Sequence, residues 1–95
     1  MAITLERNLA GKAAIYTAVA VPITQLKAGK SGIVSKLEGT PSLRQHLLEM
    51  GFTKGTKVEF IRQAPLGDPI DLRLRGYRLS LRRAEAVALI VSPID

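Results

Sequence analysis

The chain has no cysteine, no tryptophan, one histidine and only four aromatic rings: Tyr16, Phe52, Phe60 and Tyr77. Without cysteine there is no disulfide, no thiolate metal site and no cysteine nucleophile, which suits a reducing compartment. A lone histidine, His46, rules out a multi-histidine metal cage. There is no G-x-S-x-G stretch, no serine set near a base, no pair of carboxylates at useful spacing and no glycine-rich phosphate loop. The sequence therefore expects no enzyme. Long apolar runs are missing too. The nearest, "AAIYTAVAV" (13–21), falls far short of the ~20 residues that span a bilayer. It follows Arg7 and Lys12 as a signal-peptide core would, but it is alanine-rich and Glu6 sits in its leading region. It reads as a mature extension, partly strand, on a cytoplasmic chain.

What is present is one domain's worth of chain, 95 residues with 46% hydrophobic side chains. With so few rings the core must be built from Leu, Ile and Val, each fully buried large aliphatic contributing about 1.5–3 kcal/mol. Fourteen Lys and Arg against eight Asp and Glu give a net charge of +6. Such a domain is drawn to nucleic acid, anionic headgroups or an acidic protein surface, and charge alone does not choose among them.

Residues 1–21 lack the turn punctuation found later and read as an N-terminal extension; the domain proper runs over 22–95. "SGIVSKLEG" (31–39) predicts a first strand, β-branched in the middle and closed by glycines. "GTPSLRQHLLEMGF" predicts a short helix. Ser42 and Gln45 have capping-box spacing, with Thr40 and Pro41 as the alternative start, and Leu43, Leu47 and Met50 share one face before Gly51 ends the helix. A turn and a strand with Val58 and Phe60 on one face follow in 53–65. In "IDLRLRGYRLSL" the apolar parity changes at Gly76: Ile70, Leu72 and Leu74 before it, Tyr77, Leu79 and Leu81 after it. A continuous strand cannot accept that slip, so Gly76 marks a tight turn or a bulge, with a hairpin turn at Arg75–Tyr77 preferred. One helical turn, "RRAEA", precedes a last strand at 87–92. The sum is a mainly β fold: a small SH3-like five-stranded barrel, with one short helix after the first strand and a one-turn helix before the last.

Three kinds of chemistry compete for the remaining residues. His46 and Glu49, three apart on the helix, form a two-ligand site that would hold Fe²⁺ or another divalent metal weakly; a solvated helix face is the plainer reading, and no cofactor is required. Arg73, Arg75, Arg78 and Arg82 line the outer face of one hairpin and suggest a nucleic-acid-binding barrel, but that face carries no stacking ring. The loop "RQAPLGDPI" holds Leu66 between Pro65 and Pro69, with Gly67 and Asp68 completing a stiff turn; Leu66 either folds onto the core or meets a partner.

"LEMGFTKGT" (48–56), "APLGDP" (64–69) and "RGYRLSLRRAEA" (75–86) occur in this order and spacing. Together they resemble the FeoA family of ferrous-iron transport accessory proteins, over Pro22 to Pro93. The resemblance implies a bacterial cytoplasmic SH3-like barrel that docks on the cytoplasmic GTP-binding part of the iron transporter FeoB and modulates it, reaching the membrane only through that transporter. It implies neither an enzyme nor a permease, and no nucleic acid. Family signature positions fall on Gly51, Gly55, Pro65 to Pro69, Gly76, Tyr77 and Arg78.

Overall fold

The structure is a computed structural model and describes residues 19–94. Its strands are β1 (Val21–Pro22), β2 (Ser31–Leu37), β3 (Lys57–Gln63), β4 (Ile70–Leu74), β5 (Tyr77–Leu81) and β6 (Leu89–Ile94). Helix α1 (Pro41–Glu49) follows β2, the single turn α2 (Arg83–Ala86) precedes β6, and a 3-10 turn spans Ile23–Gln25. All pairings are antiparallel, in the order β1-β6-β2-β3-β4-β5. The five foreseen strands are thus present, and a sixth is added by Val21 and Pro22, which pair with Val91 and Ile90. The last strand starts at Leu89 rather than 87, because Val87 closes α2. Of the partly strand segment expected at 13–21, residues 13–18 lie outside the described residues.

Alternation fixes which face each strand buries. Val34, Val58, Phe60, Ile70, Leu72, Leu74, Leu81, Leu89 and Val91 come from five different strands and form one core. A sheet whose distant strands share one core must curl around it, which is the SH3-like arrangement. Ile23, on the 3-10 turn, and Leu47, on α1, fill the interior and are fully buried. The parity change is absorbed by a two-residue turn, Arg75–Gly76, closed by Leu74 opposite Tyr77. Both turn residues have positive φ, +51° and +84°. That is the pattern of a type I′ turn, whose twist matches the strands it joins.

Helix α1 is capped by Thr40, not Ser42: the Leu43 amide donates to Thr40 Oγ1 at 3.1 Å, and Pro41 takes the first helical position. Proline's fixed φ and missing N–H suit that position, which settles the start two residues earlier than the capping box would. Gln45 is then free to reach forward, donating to Glu49 Oε2 at 3.3 Å. At the other end Gly51 N donates to Leu48 O at 3.0 Å and Phe52 N to Leu47 O at 3.1 Å, a Schellman closure. Gly51 has φ +107°, so the left-handed residue this closure needs is glycine. Phe52 and Leu47, the apolar pair that accompanies the motif, are both fully buried.

Candidate functional site

At one end of the barrel the 64–69 loop joins β3 to β4. Gly67 N donates to Ala64 O at 2.7 Å, and Ala64 N to Pro69 O at 3.0 Å. The loop is tied down from outside by Arg83. Its backbone N donates to Asp68 Oδ1 at 2.9 Å, and its Nη1 to Gln63 Oε1 at 3.2 Å and Gly67 O at 3.3 Å. Leu66 does not fold back: it is 97% exposed at the tip. Pro65, Leu66, Gly67, Asp68 and Pro69 therefore form a braced turn that offers one bare leucine.

The arginine-bearing face is less basic than its sequence suggests. Arg73 and Arg78 stand opposite each other in register, where like charges repel. Each turns to a carboxylate: Arg73 Nη1 lies 3.4 Å from Glu59 Oε1, and Arg78 Nη2 lies 3.8 Å from Asp71 Oδ2. Asp71 also accepts from Ser80 Oγ at 2.7 Å and from Arg62 Nε at 3.1 Å. The Ser80 hydroxyl, foremost, and the Arg62 and Arg78 guanidinium groups outweigh partial desolvation and hold the Asp71 carboxyl below its ordinary value. Arg82 lies apart, beyond β5, in a groove of about 400 Å³ with Asp68, Ser80 and Glu85. The four arginines expected together are thus divided, and the two that share a face are paired with carboxylates.

Arg75 leaves that face altogether. Its Nη2 donates to Thr53 Oγ1 at 3.0 Å and to Thr56 Oγ1 at 3.1 Å, and the two hydroxyls are 2.9 Å apart. This ties the β4–β5 hairpin to the turn before β3, where Gly55 N donates to Val34 O at 2.9 Å. Tyr77, placed among the inward residues by the parity, is half exposed, and its hydroxyl donates to the Met50 carbonyl at the end of α1. A Cβ on Gly51 would stand 3.1 Å from that hydroxyl. The signature positions Gly51, Gly55, Gly76 and Tyr77 accordingly hold turns and the end of α1. Thr53, Thr56 and Arg83 lie within the stretches that carry the family resemblance but were not singled out as site residues; the T-x-x-T spacing is a further local signal for the first two.

His46 and Glu49 each face a different partner rather than one another. His46 Nε2 faces Glu85 Oε2 on α2 at 3.9 Å, while Glu49 accepts from Gln45. Among the described residues no group of three or more His, Cys, Asp or Glu is placed to hold a metal ion. Nor is any of their helices long and apolar enough to cross a membrane.

The curled sheet, the short helix and the braced turns define a small SH3-like β domain whose distinctive residues shape surfaces at its two ends. The family model for the FeoA domain matches residues 21–93, and the chain belongs to that family. A Fe(2+) transport protein A/Fe(2+) transporter FeoB fusion protein of Porphyromonas gingivalis is 35% identical over 73 residues, 77% of this chain and 9% of that protein. The chain thus spans less than a tenth of that relative's length. The solved structure of a FeoA-like protein from Clostridium acetobutylicum is 35% identical with a TM-score of 0.71, covering 76% of this chain and 84% of that one. The zinc complex of Stenotrophomonas maltophilia FeoA, described as a prokaryotic SH3 domain protein and a candidate ferrous iron transport activating factor, is 25% identical with a TM-score of 0.65. Its match covers 76% of this chain and 93% of that one.

Proposed function

We propose that this domain is a cytoplasmic accessory protein of ferrous iron uptake that acts by direct contact with the GTP-binding part of a FeoB-type transporter. Membership of the FeoA family links it to ferrous iron transport, and a relative carries the same kind of domain fused to FeoB. The observation that carries the contact reading is Leu66: an aliphatic side chain 97% exposed on a turn braced by Arg83. A side chain presented on an ordered loop costs little entropy to dock, and filling a partner's apolar pocket is what such an anchor does. The domain contributes shape and charge rather than a reacting group.

The test is an amide NMR titration of the chain with a soluble FeoB GTP-binding domain. Shifts confined to 64–70 and the neighbouring hairpin are expected, and Leu66→Asp should abolish them while leaving the spectrum of the free protein dispersed. A folded Leu66→Asp variant that binds as well as the parent removes the loop from the interface.

A further inference from the structure

The positive charge left uncompensated at the hairpin end sits beside an apolar groove. The groove has a volume of about 400 Å³ and lies against β2, β6 and the turn before β3, lined by Ile33, Val34, Pro93 and Ile94 together with Lys54, Gly55 and two serines. That volume lies within the roughly 300–1,000 Å³ of ordinary ligand pockets. Its origin is local. The β2–β6 register shifts between Val34 and Lys36, leaving Ser35 as an extra residue, and such a bulge bends a strand and re-aims its side chains. Ile33 and Ile94 line the open surface beside it, and Ile94 is 38% exposed.

Three cations lie on or next to the groove. Lys54 lines the groove itself, Lys57 lies opposite Ile33 in register, and Arg75 rests on Thr53 and Thr56 of the turn that carries Lys54; Lys57 and Arg75 also line a neighbouring recess with Glu59 and Arg73. Lys54 and Lys57 have no carboxylate within ion-pair distance among the described residues; the nearby Glu59 faces Arg73. Arg75 binds two neutral hydroxyls, which order its guanidinium without cancelling its charge. A low-dielectric groove wall beside three like charges concentrates their field over the groove.

We propose that this groove and its basic rim form a docking site for an extended acidic segment of a partner protein, one carrying one or two aliphatic side chains. The aliphatic groups enter the groove, and the flanking carboxylates meet Lys54, Lys57 and Arg75. A membrane surface fits less well, because a bilayer accepts protruding apolar side chains, whereas this apolar surface is recessed. Nucleic acid fits less well too, because the rim holds no aromatic ring on which a base can stack. The site lies at the opposite end of β3 and β4 from Leu66, and it is independent of the iron-uptake reading because its probe is a peptide rather than the transporter.

The experiment uses the full chain and a synthetic peptide of alternating glutamate and leucine, blocked at both ends, followed by amide NMR. Shifts are expected at 33–35, 53–57 and 92–94. The double variant Lys54→Glu, Lys57→Glu should bind that peptide roughly tenfold or more weakly and gain binding of a lysine–leucine counterpart. Ile94→Asp, at a partly exposed position, should keep a dispersed spectrum and bind neither peptide. Equal binding of a glutamate–serine peptide would overturn the proposal, since the groove would then play no part. Four other results would overturn it as well: peptide shifts centred elsewhere; co-sedimentation with phosphatidylglycerol vesicles while the peptide stays silent; concentration-dependent shifts at the groove without peptide, which would make a second copy the occupant; and cross-relaxation in the free chain from residues 1–18 to Ile33 and Ile94, which would make the chain's own N-terminal segment the occupant.

Discussion

The two ends of this barrel are tied by the same device, one arginine reaching across a turn, yet they present opposite surfaces. At the loop end Arg83 holds Gln63 and Gly67 while Asp68 accepts its amide, and the adjoining Arg62 and Arg78 are matched to Asp71. At the hairpin end Arg75 holds Thr53 and Thr56, and Lys54 and Lys57 beside it have no acidic partner among the described residues. The apolar side chains differ as well: Leu66 protrudes bare at the balanced end, whereas the basic end keeps its open apolar surface recessed in the groove and buries Phe52 fully. A guanidinium set on carboxylates rigidifies and neutralises together. Set on hydroxyls it rigidifies alone, and the charge remains visible to a partner. Where the net +6 is felt thus depends on what each arginine binds more than on where the arginines lie in the chain.

The sharpest way to break the contrast is to attack the buried anchor. Phe52→Ala empties a site with no solvent exposure, and should lower stability by about 3–5 kcal/mol in denaturant unfolding. A loss under about 1 kcal/mol would mean that the α1 closure does not seat the hairpin end. Arg75 comes next. Arg75→Ala removes two hydrogen bonds to the threonine hydroxyls and should cost about 1–2 kcal/mol. Arg75→Gly removes the same bonds but relieves a left-handed backbone at φ +51°, so it should be about 1 kcal/mol more stable than the alanine variant. Equal stabilities for the two variants would show that the turn carries no left-handed cost.

Much of the architecture was readable because it follows from periodicity. The parity change at Gly76 demanded a break in the strand there, although the turn proved to be Arg75–Gly76, one residue shorter than expected, and Leu43, Leu47 and Met50 marked one helix face. The cap of α1 was ambiguous because both Thr40-Pro41 and Ser42–Gln45 satisfy a helix start, and only the position of Pro41 decides between them. Strand β1 is two residues long, too short for any period to show. The candidate surfaces were harder for a different reason. Parity tells which face an arginine leaves from, but its long side chain can reach partners far along the chain. Arg75 bonds to residues 19 and 22 positions away, and Arg83 to residues 16 and 20 away. The exposure of Leu66 followed from those distant ties and so could not be read from the loop itself.

Acid should erode the loop end first. Asp71 is held below its ordinary value by Ser80, Arg62 and Arg78, so its ionised form is favoured by folding. Its contribution is complete above the unfolded carboxyl value, about 4, and is lost as pH falls through the lower folded value. Asp71→Asn should therefore melt below the parent at neutral pH, with the gap closing as pH drops beneath about 4. A gap that stays constant down to acid pH would mean that the Ser80–Asp71–Arg62 cluster stabilises through shape alone.

The smallest effect belongs to the residue with the most at stake in binding. Leu66 is 97% exposed, so neither Leu66→Ala nor Leu66→Ser removes buried area, and the hydrogen bonds of the turn run through Ala64, Gly67, Asp68 and Pro69 instead. Thermal and denaturant unfolding should move by no more than about 0.5 kcal/mol for either variant. Hydrogen exchange at the Ala64 and Gly67 amides should match the parent as well, because the bonds that protect them are untouched. A loss well above 0.5 kcal/mol, or faster exchange at those two amides, would place Leu66 in packing with its own chain. It would then make the two ends alike, each seated on a buried apolar side chain. An unchanged fold would leave the leucine with no intramolecular task, and a bare aliphatic group held on a braced turn is then explained by what it meets outside the chain.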